Sequence, residues 1–88
     1  MRISPTRETT DAVTFKLEGA LMGDWVPLLE RACVRQLYQR KTVELDFEHV
    51  SFIDREGVVA VRELIARGVA ILRPSPLVRD LLDERDQL

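Results

Sequence analysis

Cysteine is almost missing from these 88 residues, and Cys33, standing alone, has no partner for an intramolecular disulfide. The single histidine, His49, leaves no imidazole pair at metal-ligand spacing. Glycine is scarce and scattered: Gly19, Gly23 and Gly57 form neither a Gly-x-Gly-x-x-Gly turn nor a Gly-Lys-Ser loop that would cradle a phosphate. The longest apolar runs, Val58 to Val61 and Val69 to Leu72, fall far short of the roughly 20 residues needed to cross a bilayer. No basic leader followed by an apolar stretch opens the chain, so a reducing, cytoplasmic setting is expected.

What is present is the composition of one small globular domain covering residues 1–88, with 45% hydrophobic and 32% charged residues. A domain of this size buries only about two-thirds of its unfolded surface, which leaves little room for a deep, dry active site. Thirteen basic side chains face fifteen acidic ones for a formal charge of −2, and the cations are interspersed with acids. Without a basic stripe to follow a phosphate backbone, nucleic acid is not an expected partner.

Residues 13–17 alternate as Val-Thr-Phe-Lys-Leu and predict a half-buried strand that stops at Gly19. Arg2 to Ser4, ended by Pro5, reads as an edge strand beside it. The period then becomes helical. Trp25, Leu28, Leu29, Ala32, Cys33, Gln36 and Leu37 share one side behind an Asp24 cap, with Trp25 expected to pack over the sheet. Arg35, Arg40 and Lys41 fall near the helix C-terminus, where they complement its dipole.

Val43 to Glu48 alternates again and places carboxylates on its second face, so the sheet is expected to be covered on one side only. A helix capped by Asp54 follows, with Val58, Val61, Leu64 and Ile65 inward and Gly68 just past its end. Val69 to Leu72 is a short strand. Ser75-Pro76 then opens a last helix with Leu77, Val78, Leu81 and Leu82 on one side and an acidic tail through Glu84 and Asp86. This order predicts an α/β fold with two right-handed crossovers onto a mixed four-stranded sheet, its helices mainly on one face.

The window from Val50 to Val58 carries the candidate site, because a strand and turn lead there into a helix N-terminus with free N–H groups. Phe52-Ile53-Asp54 and Gly57, at their spacing after Asp46, together with Leu17-Glu18-Gly19, Val43 to Asp46 and Leu72 to Leu82, resemble the STAS domain family of anti-sigma factor antagonists. The resemblance covers almost the whole chain. It implies a non-enzymatic module that binds a protein partner through Asp54, Arg55, Glu56, Gly57, Val59 and Arg62, with no cofactor. That partner would be an anti-sigma factor or similar kinase-like regulator. The alternative is the ATPase of an ABC-type lipid transporter, which small STAS-like proteins serve as accessory subunits.

The resemblance also implies phosphorylation of a Ser or Thr just before the motif glycine, but Glu56 holds that position here and Arg55 the preceding one. Glu56 is therefore either a fixed partial mimic of a phosphoserine, with one charge instead of about 1.5 to 2, or an ordinary acid favourable in a first turn. Ser51 is the nearest remaining hydroxyl, and its turn-like surroundings give it a local backbone role. Asp46, Glu48, His49 and Asp54 form the one imaginable metal or acid–base group. With Asp54 used as a cap and His49 read as part of a polar turn, neither metal binding nor catalysis is expected.

Overall fold

In the computed structural model, which describes residues 1–83, four strands and three helices follow the predicted order. They are β1 (Arg2–Glu8), β2 (Ala12–Leu21), α1 (Trp25–Tyr38), β3 (Thr42–Ile53), α2 (Arg55–Ala66), β4 (Ala70–Leu72) and α3 (Pro76–Asp83). The sheet runs β1-β2-β3-β4, with β1 antiparallel to β2 and parallel pairing from β2 through β3 to β4. Glu84 and Asp86, read as an acidic tail, lie outside the described residues.

Alternation builds the core from one face of the sheet. Val13, Phe15, Leu17 and Leu21 of β2 pack with Val43, Leu45, Phe47, Val50 and Ile53 of β3, under Val26, Leu29 and Cys33 of α1 and Ala60, Val61 and Leu64 of α2. The opposite face carries Thr14, Lys16, Glu18, Glu44, Asp46 and Glu48, as expected for a sheet covered on one side. No helix among the described residues is long and apolar enough to cross a membrane. Cys33 is a buried core residue, and burial pushes its thiol up to about 12.

The inward positions of β3 are Val43, Leu45 and Phe47, then Val50 and Ile53, so the alternation slips twice. Both slips coincide with register shifts against β2, between Lys16 and Glu18 and between Gly19 and Ala20, where β3 supplies the extra residue. Gly19 consequently lies inside β2 as part of this irregularity, at φ +104°, and does not end the strand. His49 belongs to β3 and not to a turn, and Ser51 is an exposed strand residue. Pro5 does not stop β1 either. On an edge strand a missing N–H is tolerated, and the pairing shifts by one residue between Pro5 and Arg7.

Asp24 is not a side-chain cap. Its backbone is already helical and its carboxylate makes no capping bond. A backbone turn opens α1 instead, with Trp25 N–H on Met22 O at 3.2 Å and Val26 N–H on Gly23 O at 3.1 Å. The buried stripe is also narrower than the sequence suggests, so Leu28 is exposed and Trp25 retains 38% of its surface. Trp25→Ala should therefore cost about 1 kcal/mol in urea unfolding, well under the roughly 3 kcal/mol of a buried aromatic. A loss of 3 kcal/mol would place the ring in the core.

Ile65 and Leu77 are exposed as well, because the buried lines of their helices run through Gly57, Ala60, Val61 and Leu64 in α2 and through Val78 in α3. The remaining helix ends match their sequence signals. Gly68 N–H bonds to Ile65 O at 2.9 Å and Val69 N–H to Leu64 O at 3.0 Å, the paired bonds of a Schellman ending. Ser75 Oγ accepts Val78 N–H at 3.2 Å at the start of α3.

Candidate functional site

A single carboxylate joins three segments where β3 becomes α2. Asp54 leaves the strand extended, and its Oδ1 accepts Gly57 N–H at 2.7 Å, capping α2 as the sequence predicts. Its Oδ2 accepts Gly23 N–H at 3.1 Å from the loop before α1, and its own N–H donates to Leu21 O at 3.1 Å. The end of β2, the entry to α1 and the first turn of α2 are thereby fixed to one another.

Gly57 is buried beneath this turn. A Cβ there would lie 2.8 Å from Ile53 Cγ1 and 3.1 Å from Leu21 O, so glycine lets the first turn approach the strand ends this closely. The two residues between cap and glycine point outward: Arg55 and Glu56 are both exposed. Glu56 lies in the first turn, where the positive end of the helix dipole favours its charge.

One turn on, Val59 is 51% exposed, and Phe52 at the end of β3 is 44% exposed. Val59 and Arg55 separate two grooves. One, between the end of β3, α2 and α3, is lined by Phe52, Val58 and Leu81 among others. The other, between α1 and α2, has Val26, Pro27 and Ala60 beside Glu30, Glu56 and Glu63. Arg62 is turned toward α3, its Nε donating to Leu82 O at 2.9 Å and its Nη2 to Leu81 O at 3.3 Å. Its guanidinium thus seats α3 against the first groove, a structural task complementing the carbonyl end of that helix.

Of the predicted site residues, the structure gathers Arg55, Glu56 and Val59 on the exposed surface, with Asp54 and Gly57 as the frame beneath and Arg62 as a brace. Glu63 lies on the outward side of α2 with Val59, as the helical period predicts, whereas nothing in the sequence marks Phe52, Glu30 and Leu81 as surface contributors. Phe52 faces outward only because of the register slip beside Ser51, and Glu30 and Leu81 come from distant elements.

The imagined metal or acid–base group does not assemble. Asp46, on the uncovered face of β3 and only 7% exposed, pairs with the Arg73 guanidinium, and its Oδ1 accepts Glu48 N–H at 3.0 Å. Asp54 lies eight residues further along, at roughly 3.3 Å per residue. His49 Nε2 is 3.7 Å from Glu48 Oε1, and among the described residues no three metal-ligating side chains come together.

The Arg73 hydrogen bond, followed by Glu48 N–H and the charges of Arg73 and His49, outweighs burial and holds the Asp46 carboxyl below its ordinary 3.8. This contribution to stability is complete above the unfolded value and disappears as pH falls through the lower folded one. Arg73→Ala removes the largest lowering influence and leaves the burial that raises Asp46. The variant should therefore be less stable than the wild type near pH 7, and the difference should shrink as pH falls through the carboxylate range, as read from urea midpoints between about pH 2 and 7. Superimposable acid limbs would show that the pair contributes nothing to folding.

No family model matches the sequence, and no curated protein matches it. Solved structures do. The anti-sigma factor antagonist SpoIIAA in its unphosphorylated form is 24% identical, with a TM-score of 0.75 over 91% of this chain and 80% of its own. The Bacillus cell fate determinant SpoIIAA in the phosphorylated form is 26% identical, with a TM-score of 0.74 over 91% of this chain and 79% of its own. A crystal structure of Mglu is 25% identical with a TM-score of 0.60 over 82% of this chain, which there corresponds to only 19% of a longer protein. Four strands in the order β1-β2-β3-β4, crossed by α1 and α2 and closed by the Asp54 turn, give this chain the STAS fold of the anti-sigma factor antagonists.

Proposed function

We propose that this chain is a non-enzymatic regulator of the anti-sigma factor antagonist type, docking a protein partner on the surface formed by Phe52, Arg55, Glu56 and Val59, with Glu56 in the place of a phosphorylatable serine. The observation that carries the proposal is Glu56 itself: an exposed carboxylate on a turn held rigid by Asp54 and Gly57, flanked by two exposed apolar side chains. Rigid presentation reduces the ordering cost of binding, and apolar neighbours supply area around a charge whose sign selects the partner. The likeness to SpoIIAA, known in phosphorylated and unphosphorylated forms, supports the same reading.

With no hydroxyl at position 56, the charge there is permanent and the module is locked in one state. Glu56→Ser and Glu56→Gln separate charge from shape, since the glutamine keeps the size. Calorimetric titration at matched salt should show both variants differing from wild type by about 1 kcal/mol or more in partner affinity. Their folding stability should change by only a few tenths of a kcal/mol, from the lost first-turn charge. Equal affinities for all three proteins would reduce Glu56 to a helix-start acid. The partner is identified by affinity purification with the tagged chain, using Val59→Asp as the control. An anti-sigma factor of the kinase type is expected, and specific recovery of a transporter ATPase would replace this reading with that of a transporter accessory subunit.

A further inference from the structure

The outward side of α1 meets the site described above only at Pro27 and Glu30 and otherwise has no role in it. Pro27, Glu30, Arg31, Val34, Arg35 and Tyr38 line one shallow depression along it. Tyr38 is 85% exposed, the largest exposure among the big hydrophobic side chains of the described residues. The spacing of these residues is that of a coiled-coil seam: Pro27, Arg31, Val34 and Tyr38 follow one another at the alternating three- and four-residue intervals of the d and a positions. Glu30 then occupies g and Arg35 the following e.

Glu30 and Arg35 are five residues apart, which places them about 140° apart around the helix, on opposite flanks of the seam. They cannot pair within one helix, and neither takes part in an ion pair among the described residues. A parallel second copy resolves this. In a parallel pair each g side chain meets the e side chain five residues on in the other helix, so Glu30 meets Arg35 of the second copy twice over by symmetry. Arg31, at a, faces Arg31 of that copy with the Glu30 of each copy flanking the two guanidiniums, and the Val34 and Tyr38 side chains close on their own counterparts. In an antiparallel pair g flanks g and e flanks e, so Glu30 and Arg35 of the two copies would lie on opposite flanks and could not meet.

We infer that the outer face of α1 is a self-association surface, in which two copies of this chain pair through parallel α1 helices with reciprocal Glu30–Arg35 contacts. The seam spans less than two heptads, about 17 Å at 1.5 Å per residue, so the interface is of the small, transient class and the dimer forms at high protein concentration. Pro27 and Glu30 also line the groove between α1 and α2. Self-association therefore competes with whatever occupies that groove.

The test is sedimentation equilibrium of the full chain over a wide concentration range, at low salt, for wild type, Glu30→Arg, Arg35→Glu and the double swap. Both substitutions lie on the outward side of α1, with Arg35 exposed and Glu30 half-buried, and circular dichroism checks that each variant is folded. The wild type should show a reversible monomer–dimer equilibrium, each single variant should weaken it by about tenfold or more, and the double swap should restore it. A wild type that stays monomeric throughout, single variants that associate as well as wild type, or a double swap no better than the singles would each overturn the proposal.

Discussion

Asp54→Ala should destabilise the fold by about 2 kcal/mol or more, since it removes a helix cap and a second hydrogen bond in one step. The alanine leaves Gly57 N–H buried without an acceptor, and Gly23 N–H loses the carboxylate that ties its loop to the start of α2. Asp54→Asn should fall between the two. Its amide oxygen can still cap α2, but the second oxygen becomes an NH2 group that faces the donor of Gly23. Urea unfolding at constant m-value measures both variants. A cost under about 0.5 kcal/mol for the alanine would mean that the three segments hold together without the carboxylate.

Val59→Asp should act in the opposite manner, lowering partner affinity by about tenfold or more while changing stability little. Val59 is half exposed and stands on the ridge between the two grooves, so a carboxylate there remains hydrated in the free protein. In the complex the same carboxylate must be desolvated beside Glu56, where two like charges oppose each other. Calorimetry and thermal unfolding of the same preparation separate the two quantities. A variant that unfolds would show that Val59 supports the core, and one that binds normally would remove this ridge from the interface.

Features set by neighbouring residues were legible in the sequence. Asp54 and Ser75 announce their caps by residue type and position, and Gly68 with Val69 gives the complete ending of α2. The geometry of the candidate site was legible for the same reason, being a turn of consecutive residues. What the sequence hid depends on contacts between distant segments. The outward position of Phe52 follows from pairing between β2 and β3, and the bond from Asp54 to Gly23 spans 31 residues. The partnership of Asp46 with Arg73 spans 27 and turned a suspected ligand into half of an ion pair. Asp24 looked like a cap by every local criterion, but the turn at Gly23 had already opened the helix.

The second irregularity of β3 has a bearing on how this surface could diverge. Gly19 pairs with Val50 and Ala20 with Phe52, so Ser51 is surplus to the register. A chain lacking Ser51 would preserve both pairs and the inward and outward senses of Phe52 and Ile53, yet its strand would lose the bend and added twist that a surplus residue imposes. Loss of Ser51 would alter the direction in which β3 delivers α2 while keeping the order of side chains on the candidate surface. The direction in which the candidate surface faces is thus set by chain length at Ser51, a position outside that surface.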